Sequence, residues 1–237
     1  MTIAQRIKTI RSQIENCCLD CDRNQETVLL LAVSKTKPAT DIAKAYQAGL
    51  RHFGENYCQE ALLKQQILGA YDITWHFIGP IQSNKTRHIA HHFSWVHSVD
   101  SLRIATRLSE QRPTNLPPLN ICLQVNVSDE QSKSGITLDG LPELCSAVAA
   151  LPRLRLRGVM AIPAPQEDYE QQRLPYKTLV QAVVDLNRPE LDTFSFGMTD
   201  DLKAAITEGS TIVRIGTALF GSRTSFTPPN GMIRAKK

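Results

Sequence analysis

Val28-Leu29-Leu30-Leu31-Ala32-Val33 is an unbroken apolar run of strand length, with no polar residue at alternate positions. A strand with one wet face alternates, so a short continuous run marks a strand covered on both sides, the condition of a parallel sheet packed between helices. Pro38 bars helix at Lys37, Thr40 or Asp41 is placed to cap, and Ile42 to Ala48 run helically until Gly49 stops them. The unit then recurs. Further strands are predicted near His52-Phe53-Gly54, Thr74 to Ile78, Trp95 to Val99, Asn120 to Val127, Leu156 to Ile162, Thr193 to Phe196 and Thr211 to Ile215, each separated from the next by a helix-length stretch. Ahead of the series, Ile3, Ile7, Ile10, Ile14 and Cys17 form one apolar stripe, which predicts a helix from about Thr2 to Asp22. About eight strands in this order predict an α/β fold, a single (β/α)8 barrel with an extra N-terminal helix. The rival, a doubly wound open sheet, lacks support because no G-x-G-x-x-G follows the first strand.

The 237 residues fit one barrel, and no linker or low-complexity tract divides them, so residues 1–237 are expected to form one domain. With 42% hydrophobic and 21% charged residues, the chain is neither disordered nor fibrous. No apolar stretch reaches the length of a membrane helix, and the N-terminus has no signal-type apolar core, so a cytoplasmic location is expected. The net charge of +4 is scattered, apart from a Lys236-Lys237 doublet, which argues against a nucleic-acid partner. Six irregularly placed cysteines are expected to be reduced thiols, Cys18-x-x-Cys21 included, since that pair falls in the first helix.

In such a barrel, functional groups stand at the carboxyl ends of the strands. Lys35 follows the first. A lysine projecting into a desolvated mouth loses part of its preference for the ammonium form, and the free amine condenses with an aldehyde or ketone. At the far end of the chain, Phe194-Ser195-Phe196-Gly197-Met198-Thr199 and Val213-Arg214-Ile215-Gly216-Thr217-Ala218 bring small residues and hydroxyls to the loops after strands seven and eight. That is where barrels of this kind bind phosphate. A nucleophilic lysine facing a phosphate cradle admits two ligand classes: pyridoxal phosphate, or a phosphorylated sugar cleaved through a Schiff base. Strand alternation puts Arg214 and Gly216 on one face and Ile215 on the other. An arginine facing the cavity favours the first class, since an aldolase needs a further acid/base group that no other strand end clearly supplies.

Other motifs carry less. Gly79-Pro80-Ile81-Gln82-Ser83-Asn84-Lys85-Thr86 approaches a nucleotide phosphate loop, but Asn84 replaces its second glycine and Pro80 interrupts the run of N–H donors. His88, His91 and His92 share a helix, with His76 and His97 on nearby strands. Without interspersed carboxylates this reads as a solvated helix face, and no metal is expected.

Leu31-Ala32-Val33-Ser34-Lys35-Thr36-Lys37-Pro38, His52-Phe53-Gly54-Glu55-Asn56-Tyr57, Trp75 to Lys85, Ser132-Lys133-Ser134-Gly135, Ser195 to Asp201 and Arg214-Ile215-Gly216-Thr217 together resemble the signature blocks of the pyridoxal phosphate homeostasis proteins. The resemblance spans about residues 27 to 223, with the blocks in order. It implies the barrel of alanine racemase and eukaryotic ornithine decarboxylase without their added β domain. It also implies pyridoxal 5'-phosphate as cofactor, held as a Schiff base on Lys35. Ser195, Gly216 and Thr217 would hold the phosphate, Arg214 would face the ring nitrogen, and Asn56 would line the pocket. Phe196 stands where the family has methionine, and Thr199 where serine is usual.

The implied role is intracellular vitamin B6 homeostasis and amino-acid/keto-acid balance, with negligible turnover and no catalytic residue; an amino-acid racemase of low activity is the alternative. In the related racemase a tyrosine from the partner's β domain supplies a second acid/base, and the residues after the last strand are expected to be too few to build that domain. A one-sided relay makes stereochemical inversion slow. The expected partners are the small-molecule cofactor and, transiently, apo-enzymes that use it, with the chain itself a monomer and no membrane partner.

Overall fold

The computed structural model describes residues 1–128 and 134–222. Eight parallel strands close in sequence order into a barrel. Helix α1 (Ile3–Leu19) precedes β1 (Leu29–Val33), α2 (Ala39–Gln47), β2 (His52–Glu55), α3 (Cys58–Ile67), β3 (Thr74–Phe77), α4 (Thr86–His92), β4 (Trp95–Val99) and α5 (Leu102–Gln111). The second half comprises β5 (Leu119–Val125), α6 (Leu141–Ala149), β6 (Leu154–Ala161), α7 (Tyr169–Asp185), β7 (Thr193–Ser195), α8 (Leu202–Thr207), β8 (Ile212–Ile215) and α9 (Thr217–Phe220). Closure, with β1 pairing β8 from Leu29–Ile212 to Ala32–Ile215, excludes the open-sheet alternative. Ser132 and Lys133 of the sequence blocks, and the Lys236-Lys237 doublet, lie outside the described residues.

The predicted strands all occur, with shifted ends. β5 stops at Val125 because the chain then pairs with a returning segment, Asn126 N–H donating to Ile136 O and Ile136 N–H to Gln124 O. Helix α1 starts on a capping box between Thr2 and Gln5 and ends before Asp22, which turns to φ +53°. Helix α2 starts at Ala39, earlier than a Thr40 or Asp41 cap would allow, because Pro38 itself supplies the extended cap geometry. Asp41 instead sits in the first turn, where its charge complements the helix dipole.

The outward strand faces carry Phe53, Phe77, Val96, Ile121, Val159 and Val213, which join helix residues such as Ile42, Ile89, Leu108 and Leu179 in one apolar layer. The inner face differs. Register sets Leu31 level with Arg214, Gly54 with His76, and Met160 with Ser195. Branched apolar side chains usually fill a barrel interior. Here His76, His97, Ser195 and Arg214 share it with Leu31 and Met160, none above 5% exposed.

The ladder between β7 and β8 has a single register pair, Ser195–Ile212. Loop bonds reinforce it: Thr211 N–H to Phe194 O at 2.9 Å, Arg214 N–H to Gly197 O at 2.9 Å and Ser210 Oγ to Phe196 O at 2.6 Å. Helix α1 packs on α2, α8 and α9. Just beyond it, Arg23 donates to Ile206 O and Ser210 O at 2.6 and 2.9 Å. All six cysteines are free thiols. Among the described residues no helix is long and apolar enough to cross a membrane.

Candidate functional site

At the carboxyl end of β1 the chain turns sharply, Lys37 N–H donating to Ser34 O at 3.0 Å and Thr36 adopting φ +63°. A buried ionic cluster fixes this turn from behind. Glu55 shares the outward face of β2 with Phe53 and meets Lys64 of α3, both fully buried. Lys64 Nζ lies 2.7 Å from Glu55 Oε1, 2.5 Å from Glu60 Oε1 and 2.8 Å from Ser34 O. The Ser34 hydroxyl donates to Glu55 at 2.6 Å, and Thr36 N–H to Glu60 at 2.6 Å. Both residues flanking Lys35 are thereby tied down.

Three lysines stand near this strand end, and their roles diverge. Lys64 serves the cluster, while Lys37 Nζ donates to Gly221 O at 3.0 Å and to Ser222 O. Only Lys35 of the three lines the cleft at the barrel mouth, a space of about 610 Å³. Asn56, Arg214, Gly216 and Thr217 line it too, with Met198, Thr199 and Asp200 of the loop after β7. An adjoining hollow of about 280 Å³ shares Asn56, Ile78 and Ile162 and is walled by Gln124, Asn126 and Ser134.

Asn56 is held by close backbone packing. A Cβ on Gly79 would come within 2.2 Å of Asn56 O, so glycine alone lets the loop after β3 lie against it. Among the described residues the buried Asn56 Oδ1 has no hydrogen-bond partner, leaving acceptor capacity at the cleft wall. The loop after β7 is built around Gly197, at φ +94°, whose hypothetical Cβ would meet Ala205 Cβ at 2.4 Å. Asp201 then braces it, accepting from Met198 N–H and from the Tyr176 hydroxyl, each at 2.6 Å. In the loop after β8, Gly216 caps the short helix α9, its carbonyl accepting from Leu219 N–H and Phe220 N–H at 3.0 Å each.

Arg214 is buried. Its Nη1 donates to Ser195 Oγ at 3.0 Å and to Ser195 O, and its Nη2 to Ala161 O at 3.0 Å. Among the described residues no carboxylate lies within ion-pair distance of it. The Ser195 side chain is fully buried in the barrel interior, below the cleft lining. Its Oγ is bonded to His97 Nδ1 at 2.7 Å and to Arg214. The hydroxyls that do line the cleft belong to Thr199 and Thr217. His88, His91 and His92 are exposed on α4, and among the described residues no group of three or more His, Cys, Asp or Glu could hold a metal ion. Lys85 closes a 3-10 turn before α4, away from the cleft wall.

Sequence reasoning missed the Lys64–Glu55–Glu60 cluster. The i,i+4 spacing of Glu60 and Lys64 was its one visible signal. Burial outweighs the Lys64 and Ser34 contacts and pushes the Glu55 carboxyl up to about 7. Folding therefore favours its protonated form: the associated stability is present below about pH 4.5 and lost as pH rises through about 7. Urea melts of the wild type and Glu55→Gln between pH 4 and 8 should diverge across that window, by on the order of 3 kcal/mol. Parallel curves would refute the assignment.

The closed barrel and its lysine-bearing mouth define a class. Residues 20–224 match the family described as "Alanine racemase, N-terminal domain". The alanine racemase of Corynebacterium glutamicum superposes with a TM-score of 0.70 at 14% identity, over 97% of this chain and 62% of that one, a likeness of fold alone. Much nearer is the pyridoxal phosphate homeostasis protein of Pseudomonas aeruginosa, 60% identical over 222 residues, 94% of this chain and 96% of that protein. Its Escherichia coli K12 counterpart is 55% identical over 226 residues, 93% and 97%. The structure of PipY from Synechococcus elongatus PCC7942 with PLP bound gives a TM-score of 0.80 at 36% identity, over 93% of this chain and all of that one. The chain belongs to the pyridoxal phosphate homeostasis protein family.

Proposed function

We propose that this chain, acting as one domain, binds pyridoxal 5'-phosphate at the barrel mouth and serves its intracellular balance as a carrier with negligible turnover. One observation carries the reading: Lys35, Arg214 and the two loops after β7 and β8 line the same cleft. The residues suit the cofactor. Lys35 would hold the cofactor through its amine, the aldehyde supplying the carbonyl for a Schiff base. Backbone N–H groups at 199–200 and 216–218, with the Thr199 and Thr217 hydroxyls, supply donors for the phosphate, and Gly216 leaves the anion room to approach. Ser195 contributes through Arg214. Asn56 offers its unspent amide capacity beside the ring.

When bound, pyridoxal phosphate supplies an aldehyde and an electron-withdrawing ring. Arg214 limits the second property. A guanidinium keeps its proton, so it donates to a ring nitrogen and cannot protonate it, which weakens the ring as an electron sink. The names of the relatives and the PLP-bound structure of PipY agree with this reading. Its natural partners are apo-enzymes that receive the cofactor, and the carrier is a monomer in the cytoplasm.

Borohydride reduction of the protein mixed with pyridoxal phosphate, followed by peptide mass spectrometry, should place one adduct on Lys35. An adduct mainly on Lys37 or Lys85 would overturn the site. A protein left colourless by the cofactor would point to a pure interaction module. Alanine racemisation near ~10 s⁻¹, an ordinary enzyme turnover, would overturn the carrier role.

A further inference from the structure

The barrel interior contains a feature that cofactor binding through Lys35 does not use. His52 Nδ1 lies 2.9 Å from His76 Nε2, His76 Nδ1 lies 2.9 Å from His97 Nε2, and His97 Nδ1 lies 2.7 Å from Ser195 Oγ. Ser195 Oγ in turn accepts from Arg214 Nη1 at 3.0 Å. One residue from each of β2, β3, β4, β7 and β8 thus forms a continuous chain from a half-buried end at His52 to the cleft floor. The imidazoles do not converge on a point, as metal ligands would; they stand in series.

The chain has one consistent polarity. Guanidinium has no acceptor, so the Ser195 oxygen must accept from Arg214. The serine hydrogen then goes to its remaining close neighbour, His97 Nδ1. The opposite polarity would give the serine oxygen two donors and leave its hydrogen without an acceptor in a fully buried place. With Nδ1 of His97 accepting, its Nε2–H donates to His76 Nδ1, and His76 Nε2–H donates to His52 Nδ1. Every ring is neutral and turns its lone-pair end toward Arg214.

We propose that His52, His76, His97 and Ser195 form a one-way hydrogen-bond chain, each ring in the Nε2–H tautomer, and that His97 and Ser195 are positioning residues that seat Arg214 against the cofactor's ring nitrogen. The last step rests on the pyridoxal phosphate reading; the chain itself does not. The proposal also explains how a buried arginine stands without a carboxylate in direct contact: the aligned imidazole dipoles solvate it alongside the more distant Asp201 charge. The direction of the histidine shifts agrees. Burial and the Arg214 charge bring His97 down to about 3, and burial with its two neighbouring rings holds His76 well below the usual histidine value.

Long-range proton–nitrogen correlation spectra of the cofactor-free, nitrogen-15-labelled protein at pH 7 read the tautomers directly, with His52→Gln, His76→Gln and His97→Gln assigning the signals. The three interior rings are expected to be protonated at Nε2 and bare at Nδ1. A ring protonated at Nδ1, or at both nitrogens, overturns the chain whatever the cofactor does. Ser195→Ala is expected to raise the dissociation constant for pyridoxal phosphate about tenfold, the equivalent of one hydrogen bond, and to shift the Arg214 side-chain nitrogen signals in the cofactor-free protein. Unchanged affinity with the expected tautomers would overturn the positioning role alone. A wild type without a Lys35 adduct would overturn the cofactor reading while leaving the tautomer result standing.

Discussion

Replacing Lys64 with alanine is expected to cost about 3–5 kcal/mol of unfolding free energy at pH 8. The loss comes less from missing attraction than from what remains: Glu55, fully buried, with its countercharge gone, and Glu60, whose side chain is only 12% exposed. A carboxylate left in the interior pays its full desolvation cost. Because burial already pushes Glu55 up to about 7, the penalty should shrink at pH 5, where its carboxyl takes a proton. Adding Glu55→Gln to Lys64→Ala should recover part of the stability at pH 8, since a neutral amide is less costly to bury. Denaturant melts of the two single variants and the double variant at both pH values provide the check. A Lys64→Ala protein within about 1 kcal/mol of wild type at pH 8, the range of an exposed ion pair, would show that the cluster does not hold the Lys35 turn.

Gly197→Ala is expected to cost about 3 kcal/mol and to weaken phosphate binding more than it weakens the fold. Two costs combine. An alanine at φ +94° sits in a region L-residues rarely adopt, and its methyl would lie 2.4 Å from Ala205 Cβ on α8. The backbone around Met198 must move to relieve both, and Met198 is where Asp201 and Tyr176 brace the cleft rim. Titration with inorganic phosphate and with pyridoxal phosphate, beside a thermal melt, would separate the effects. Unchanged binding of both ligands would show that this loop does not grip the anion.

Much of the architecture can be read along the chain, because a strand covered on both faces writes itself as an unbroken apolar run. β1 is of that kind, while β8 is interrupted by Arg214, which alternation puts on one face with Gly216; both line the cleft. Lys35 was legible for the same reason, as the first long polar side chain past a buried strand end. The interior histidines were not. In the sequence His76 and His97 group with the α4 histidines as a helix-face cluster, and only the register of the neighbouring strands β3 and β4 turns their rings toward each other on the inner face. Ser195 shows the converse difficulty: its block marks it in the sequence, but its partners His97 and Arg214 come from strands far apart in the chain. Glu55 and Lys64 hid because nine residues and a strand-to-helix turn separate them.

The joint between β7 and β8 is the most thinly laddered in the ring, and two loops that line the cleft, at 198–200 and 216–218, rise directly from it. A dianion held by both loops would act as a staple across the seam, so cofactor occupancy and mechanical closure of the barrel become one variable. Adding pyridoxal phosphate should then slow amide exchange at Ile212 and Val213 more than in the well-laddered β5–β6 half, making the protein tightest with the ligand bound and easiest to open without it.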